Sequence, residues 1–189
     1  MSNLIDRYLL FRIRTKRDPE AFAKIYDRYV KALYRFTLLK LPSQEEAQDI
    51  TAETFTKTWS YLLDHQEVTH IRALLYRIAR NLIADYYRNR PVSAGVDPSV
   101  VTFEDENTST VSTGDSDSGR EQRVIEARAE LSLIVKQLER LKEDYRDVVT
   151  LRLVDGLAFE DIADILDKSV GNVRVIYHRA LKALKELDS

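Results

Sequence analysis

With 189 residues, 44% of them hydrophobic and 32% charged, the chain is long and apolar enough for one ordinary domain or two small ones. It has no cysteine, which excludes a disulfide framework, a thiol nucleophile and a Cys-ligated metal, and fits a reducing, cytoplasmic setting. The formal net charge of -2 hides an uneven distribution: residues 1–90 hold 16 Lys+Arg against 11 Asp+Glu, residues 91–119 hold none against 6, and residues 120–189 hold 13 against 14.

The opening stretch MSNLIDRYLLFRIRTKRDPE sets charges inside its apolar run and has no small-residue cleavage site, so it does not read as a signal peptide. No apolar run approaches the roughly 20 residues of a membrane span, and no membrane contact by this chain is expected. Asp18 before Pro19 reads as an N-cap followed by the residue best tolerated at the first helical position, with a helix to about Leu39. Ser43 with Glu46 forms a capping box for a helix to about Leu63. In a fourth helix Ile71, Leu74, Leu75, Ile78, Leu82 and Tyr86 recur at spacings of three and four, one buried stripe that leaves Tyr76 and Tyr87 off it.

The segment PVSAGVDPSVVTFEDENTSTVSTGDSDSG has no helical period and too little apolar surface to offset its ordering entropy, so it reads as a flexible acidic linker. Beyond it Leu131, Val135, Leu138 and Leu141 mark one helix; Val148, Val149, Leu151 and Leu153 mark the next, with Gly156 at its C-cap. AFEDIADIL, a break at Asp167-Lys168 and a second helix capped by Ser169 have the layout of a helix-turn-helix, small Ala163 allowing close approach. In the second helix Val170, Val173, Tyr177, Ala180, Leu181 and Leu184 face inward. Asn172, Val175, His178, Arg179 and Lys182 face outward with Arg174 and Ile176 on the flanks, an arrangement of donors suited to base edges and phosphates. The fold class expected is all-α: a helical domain over 1–90, the acidic linker over 91–119, and a helical domain with the helix-turn-helix over 120–189.

These stretches resemble a known family. LKEDYRDVVTLRLVDGLAFEDIADILDKSVGNVRVIYHRALKAL is similar to region 4 of bacterial sigma factors, and DPEAFAKIYDRYVKALYRF, EEAQDITAETFTKTWSYL and IRALLYRIARNLIADYYRNR are similar to successive parts of region 2. The whole resembles the extracytoplasmic-function (ECF) group of the sigma-70 family. The resemblance implies a cytoplasmic, non-enzymatic protein that binds core RNA polymerase, recognises and melts promoter DNA, and is held in check by an anti-sigma factor.

On that resemblance the helix QDITAETFTKTW docks on the polymerase clamp. Ala47, Ile50, Thr54, Phe55 and Leu62 turn inward, and Asp49, Ala52, Glu53 and Thr56 form the docking face. Ala52 stands where the family usually has Gln, so Glu53 and Asp49 carry more of the electrostatic match. The next helix is expected to grip the melted minus-ten element through Tyr76, Arg77, Arg80, Asn81, Tyr87 and Arg88, with a flipped base held between HQEVTH (65–70) and Arg80 and Asn81. Ile71 and Leu74 replace family aromatics and face the core. The minus-thirty-five element falls to Asn172, Arg174, Val175, Ile176, His178, Arg179 and Lys182, where Val175 and Ile176 either meet thymine methyls or thicken the core edge. The linker is a tether and, by resemblance, threads the RNA channel of the polymerase.

Two other classes compete. A conventional helix-turn-helix regulator explains the C-terminal part and leaves unexplained the acidic-faced helix followed by the Arg/Tyr helix. An enzyme lacks support: the three histidines form no HExxH, the five glycines no phosphate loop, and no cofactor motif is present. His65 and His70 beside Asp64 and Glu67 read as a solvated loop rather than a metal site.

Overall fold

The computed structural model describes residues 4–64, 68–89, 136–138 and 140–187. The linker expected over 91–119, the helix markers Leu131 and Val135, and His65 to Glu67 lie outside these. The described residues form α1 (Leu4–Lys16), α2 (Pro19–Leu38), α3 (Gln44–Asp64), α4 (Ile71–Asn89), α5 (Glu143–Val149), α6 (Phe159–Leu166) and α7 (Val170–Leu187). Among them there is no strand.

The caps read from the sequence are made. Asp18 accepts from the N–H groups of Glu20 (3.0 Å) and Ala21 (3.2 Å) at the start of α2. Ser43 Oγ accepts from Glu46 N–H (3.2 Å) and donates to its carboxylate (2.7 Å), while the Tyr86 hydroxyl donates to the other oxygen of the same carboxylate. One capping residue therefore also fixes α4 against α3. Tyr86, expected in the core, is half-buried there.

The bundle of α1 to α4 closes on Ile25, Leu33, Phe36, Leu75 and their neighbours, with Ala47, Ile50, Thr54, Phe55 and Leu62 buried as expected. The threonines buried in α3 cost little, because each satisfies its hydroxyl locally: Thr51, Thr54 and Thr58 each donate to the carbonyl four residues back at 2.7 Å. α1 is held by a buried pair in which Tyr29 donates to Asp6 (2.6 Å).

In the C-terminal module α5 runs on into a π-helical turn, Thr150–Val154, and Gly156 follows with φ 64, a conformation that glycine adopts without strain. Leu153, expected among the buried markers, is 57% exposed because that turn rotates it outward. Asp167 ends α6 in the left-handed region (φ 53), and Lys168 N–H returns to the Ala163 carbonyl at 3.0 Å. Ser169 then caps α7 by accepting from Asn172 N–H (3.2 Å). Val173 and Ala180 are buried, whereas Leu181, expected inward, is exposed. Leu138, Leu141, Val149 and Ala180 close the back of this module in a small cluster of their own.

The main core does not stop at the first module. Val148, Leu151, Leu157, Ile162, Ile165 and Val173 belong to the same buried cluster as Phe36, Leu75 and Tyr76. α4 is buried on two faces, one against α2 and α3 and one against α6, which the single stripe in its sequence did not reveal.

Burial, with the hydrogen bond and charge of Asp6 added, pushes the Tyr29 phenol up to about 12 from 10.0. The neutral phenol is the form favoured in the fold, so this contribution is complete below pH 10 and is lost as pH climbs through about 12. Thermal melting followed across that window should show a fall in stability that Tyr29→Phe reduces.

Candidate polymerase and nucleic-acid interfaces

The residues expected to form a docking face on α3 lie on its outer side. Asp49, Ala52, Glu53 and Thr56 are all exposed, Glu53 pairing along the helix with Lys57 at 3.0 Å. Beside them lies an open apolar groove of about 440 Å³ lined by Pro19, Phe22, Tyr26, Ala52, Phe55, Thr56 and Trp59. Its floor is aromatic: Phe22 meets Trp59 with ring centres 5.0 Å apart and Tyr26 meets Phe55 at 4.7 Å, each pair tilted by 55°. Where the family's usual Gln is missing, Ala52 thus opens onto exposed ring surface.

The face of α7 is also open. Asn172, Arg174, Val175, His178, Arg179 and Lys182 are exposed, Arg174 reaching Glu160 at 3.7 Å and lying 5.7 Å over the Phe159 ring. Ile176 is 8% exposed and belongs to the core. Of the two readings left open for the apolar pair, Ile176 thickens the core edge, and Val175 alone faces out.

The α4 residues expected to hold minus-ten DNA divide: Tyr76 is buried and Arg80 half-buried, whereas Arg77, Asn81, Tyr87 and Arg88 are exposed. Arg72, Tyr76 and Arg80, four residues apart, stand on one side of α4. Opposite them stands a row of carboxylates from the other module. Arg72 donates to Asp161 (3.1 Å), Tyr76 to Asp155 (2.8 Å), and Arg80 Nε to Asp147 (2.7 Å). Asp147 is fully buried and also pairs with Lys40, itself 6% exposed and 4.9 Å over the Phe36 ring. Arg77 donates to the Asp164 carbonyl (3.3 Å), and His70 Nδ1 lies 3.7 Å from the Asp164 carboxylate. Tyr76, expected off the stripe, is therefore 1% exposed: the second module covers the side of α4 that one helix's periodicity leaves free. Asn81 and Arg88 remain exposed, Arg88 bound to Asp85 (2.8 Å), and Tyr87 donates to the Lys40 carbonyl (2.5 Å).

Burial raises the Asp155 carboxyl above its ordinary range, with Tyr76 and Arg35 countering only in part. Burial, then the charge of Asp155, pushes the Tyr76 phenol well above 10.0. Lys40, Arg35, Asp147 and Asp155 were missed as interface residues. A lysine inside the apolar run TLLKLP and an aspartate before the apolar VVTL were the available signals.

Residues 25–91 match the family description "Sigma-70 region 2" and residues 131–184 match "Sigma-70, region 4". The ECF RNA polymerase sigma-E factor of Escherichia coli (strain K12) is 31% identical over 184 residues, covering 96% of this chain and 93% of that protein. The chain belongs to the ECF group of sigma-70 family RNA polymerase sigma factors. Sigma factors are non-enzymatic transcription initiation factors that act with RNA polymerase at promoters. The ECF RNA polymerase sigma factor BldN of Streptomyces coelicolor is 28% identical over 176 residues, which span 90% of this chain and 61% of BldN. The fold is similar to that of the sigma factor RpoE solved in complex with the anti-sigma factor NepR from Bartonella quintana, with a TM-score of 0.64, 21% identity, and 88% of this chain and 95% of that one covered.

The burial of the α7 pair separates packing from recognition. Ile176→Ala should cost about 2 kcal/mol of stability in urea unfolding through lost apolar burial and the space it leaves. Val175→Ala should leave the unfolding midpoint unchanged.

Proposed function

We propose that this sigma factor divides promoter recognition among three surfaces: the exposed face of α3 with its aromatic groove docks on core RNA polymerase, α4 holds the minus-ten element, and α7 reads the minus-thirty-five element. The domain limits that go with this are 1–90 and 120–189 with the acidic tether over 91–119. The observation that carries the reading is α7: a capped helix seated by a helix-turn-helix, with Asn172, Arg174, Val175, His178, Arg179 and Lys182 all outward and exposed. Guanidinium and ammonium groups there neutralise phosphates, and the Asn172 amide is a base-edge donor and acceptor.

On α4, Arg77, Arg80, Asn81, Tyr87 and Arg88 supply the cations, amide and ring that grip an unpaired strand, with Tyr76 joining them when its partner is released. The site of action is the cytoplasm, where the polymerase works; among the described residues no helix is long and apolar enough to cross a membrane. An anti-sigma factor is the regulatory partner proposed, as for the RpoE whose fold it shares. A regulator with a separate sensor domain is disfavoured by the region 2 match over residues 25–91.

Reversing one charge tests the α3 surface. Glu53→Lys should weaken binding to core polymerase by about tenfold or more while helicity is kept, since the site is exposed and the reversal opposes a basic partner. Unchanged affinity would move the docking surface elsewhere.

Strand opening and duplex recruitment should separate. Asn81→Ala, losing a base contact worth about 1–3 kcal/mol, should cut open-complex formation measured by permanganate reactivity of promoter thymines, with recruitment retained. Arg179→Ala should weaken recruitment and, for a phosphate contact, reduce the salt slope of binding by about one. If the intact protein with core polymerase makes no thymine reactive on host promoters, the proposal fails.

A further inference from the structure

We infer that Phe159, the first residue of α6, is a positioning residue for promoter reading: its ring orients Arg174 on the outward face of α7. The inference rests on the assignment of α7 to the minus-thirty-five element. The guanidinium carbon of Arg174 lies 5.7 Å from the centre of the Phe159 ring. Arg152, carried by the π-helical turn Thr150–Val154, approaches the same ring at 4.7 Å and is tied to its own loop by donating to the Leu157 carbonyl (2.7 Å). The ring also meets Tyr177 of α7 edge-on with centres 5.5 Å apart, and Tyr177 in turn meets the His178 ring at 6.0 Å. One half-buried side chain from the first helix of the helix-turn-helix thus touches the reading helix at Arg174 and, through Tyr177, borders His178.

The contact matters because a guanidinium pairs with a base edge or a phosphate through a planar fork that must point one way. An exposed arginine samples many rotamers, and that freedom is lost on binding. Attraction between the cation and the face of a ring beside it narrows those rotamers before DNA arrives. The carboxylate of Glu160, 3.7 Å from Arg174, does less, because both side chains are more than half exposed and solvent screens the pair. The Phe159 ring is held in turn by Arg152 and Tyr177, which makes it the more rigid of the two supports.

A double-mutant cycle on the full chain bound to core polymerase tests this, the probe being a promoter duplex enriched from a random-sequence pool by the parent. Arg174→Ala should weaken binding of that duplex. Phe159→Leu keeps an apolar side chain but removes the ring, and should weaken binding about two- to fivefold, the range an exposed contact between cation and ring supports. Phe159→Tyr keeps the ring and should bind as the parent does. In the Arg174→Ala background Phe159→Leu should add nothing, whereas a general loss of packing would add its full effect. Glu160→Gln should not weaken binding. If Phe159→Leu fails to fold, judged by far-ultraviolet circular dichroism, Phe159→Met is read in the same way. Additive losses in the double variant, a Phe159→Tyr chain as impaired as Phe159→Leu, or a Glu160→Gln chain that matches its loss each overturn the positioning role and leave α7 as the reader. A pool without any enriched duplex, or unchanged affinity in Arg174→Ala, overturns the assignment of Arg174 to DNA and the positioning role with it.

Discussion

The carboxylate of Asp147 is fully buried, between the Nε of Arg80 and the ammonium of Lys40, and the arrangement of everything on that side of α4 follows from it. An unpaired carboxylate in that position would cost several kcal/mol in lost hydration. Two cations drawn from different elements of the first module offset that cost only when the second module sits in one register. The pair is thus a constraint on geometry more than a source of net stability, and the apolar cluster shared by the two modules supplies the attraction.

Asp155 shows the other side of the same balance. It too is buried at the seam, but its partners are a phenol and the guanidinium of Arg35 at 3.6 Å, and burial outweighs them enough to raise its carboxyl above the ordinary range. The seam thus holds one carboxylate between two cations and one beside a phenol and a more distant guanidinium.

The three proposed surfaces differ in how they are built. The α3 face and the α7 face rest on single helices whose inward stripes are buried and whose outward residues are exposed, so each is complete within its own module. The α4 row is shared: Arg72, Tyr76 and Arg80 already have partners, and those partners come from the C-terminal module.

What the sequence determined by itself was local. Asp18, Ser43 and Ser169 cap their helices because capping depends on hydrogen bonds within four residues, and the inward stripe of α3 is buried because its period is that of one helix. The helix-turn-helix, its break at Asp167 and the open face of α7 were legible for the same reason. The fate of Tyr76, Arg72 and Arg80 was not, because their partners lie 79, 89 and 67 residues away and no periodicity in α4 encodes a second covering surface. Ile176 could be placed in the core, and Leu153 and Leu181 in solvent, only once the neighbouring helices and the π-helical turn had fixed which way each helix was rotated. Tertiary packing decided these points because burial is a property of two surfaces, and a sequence pattern describes one.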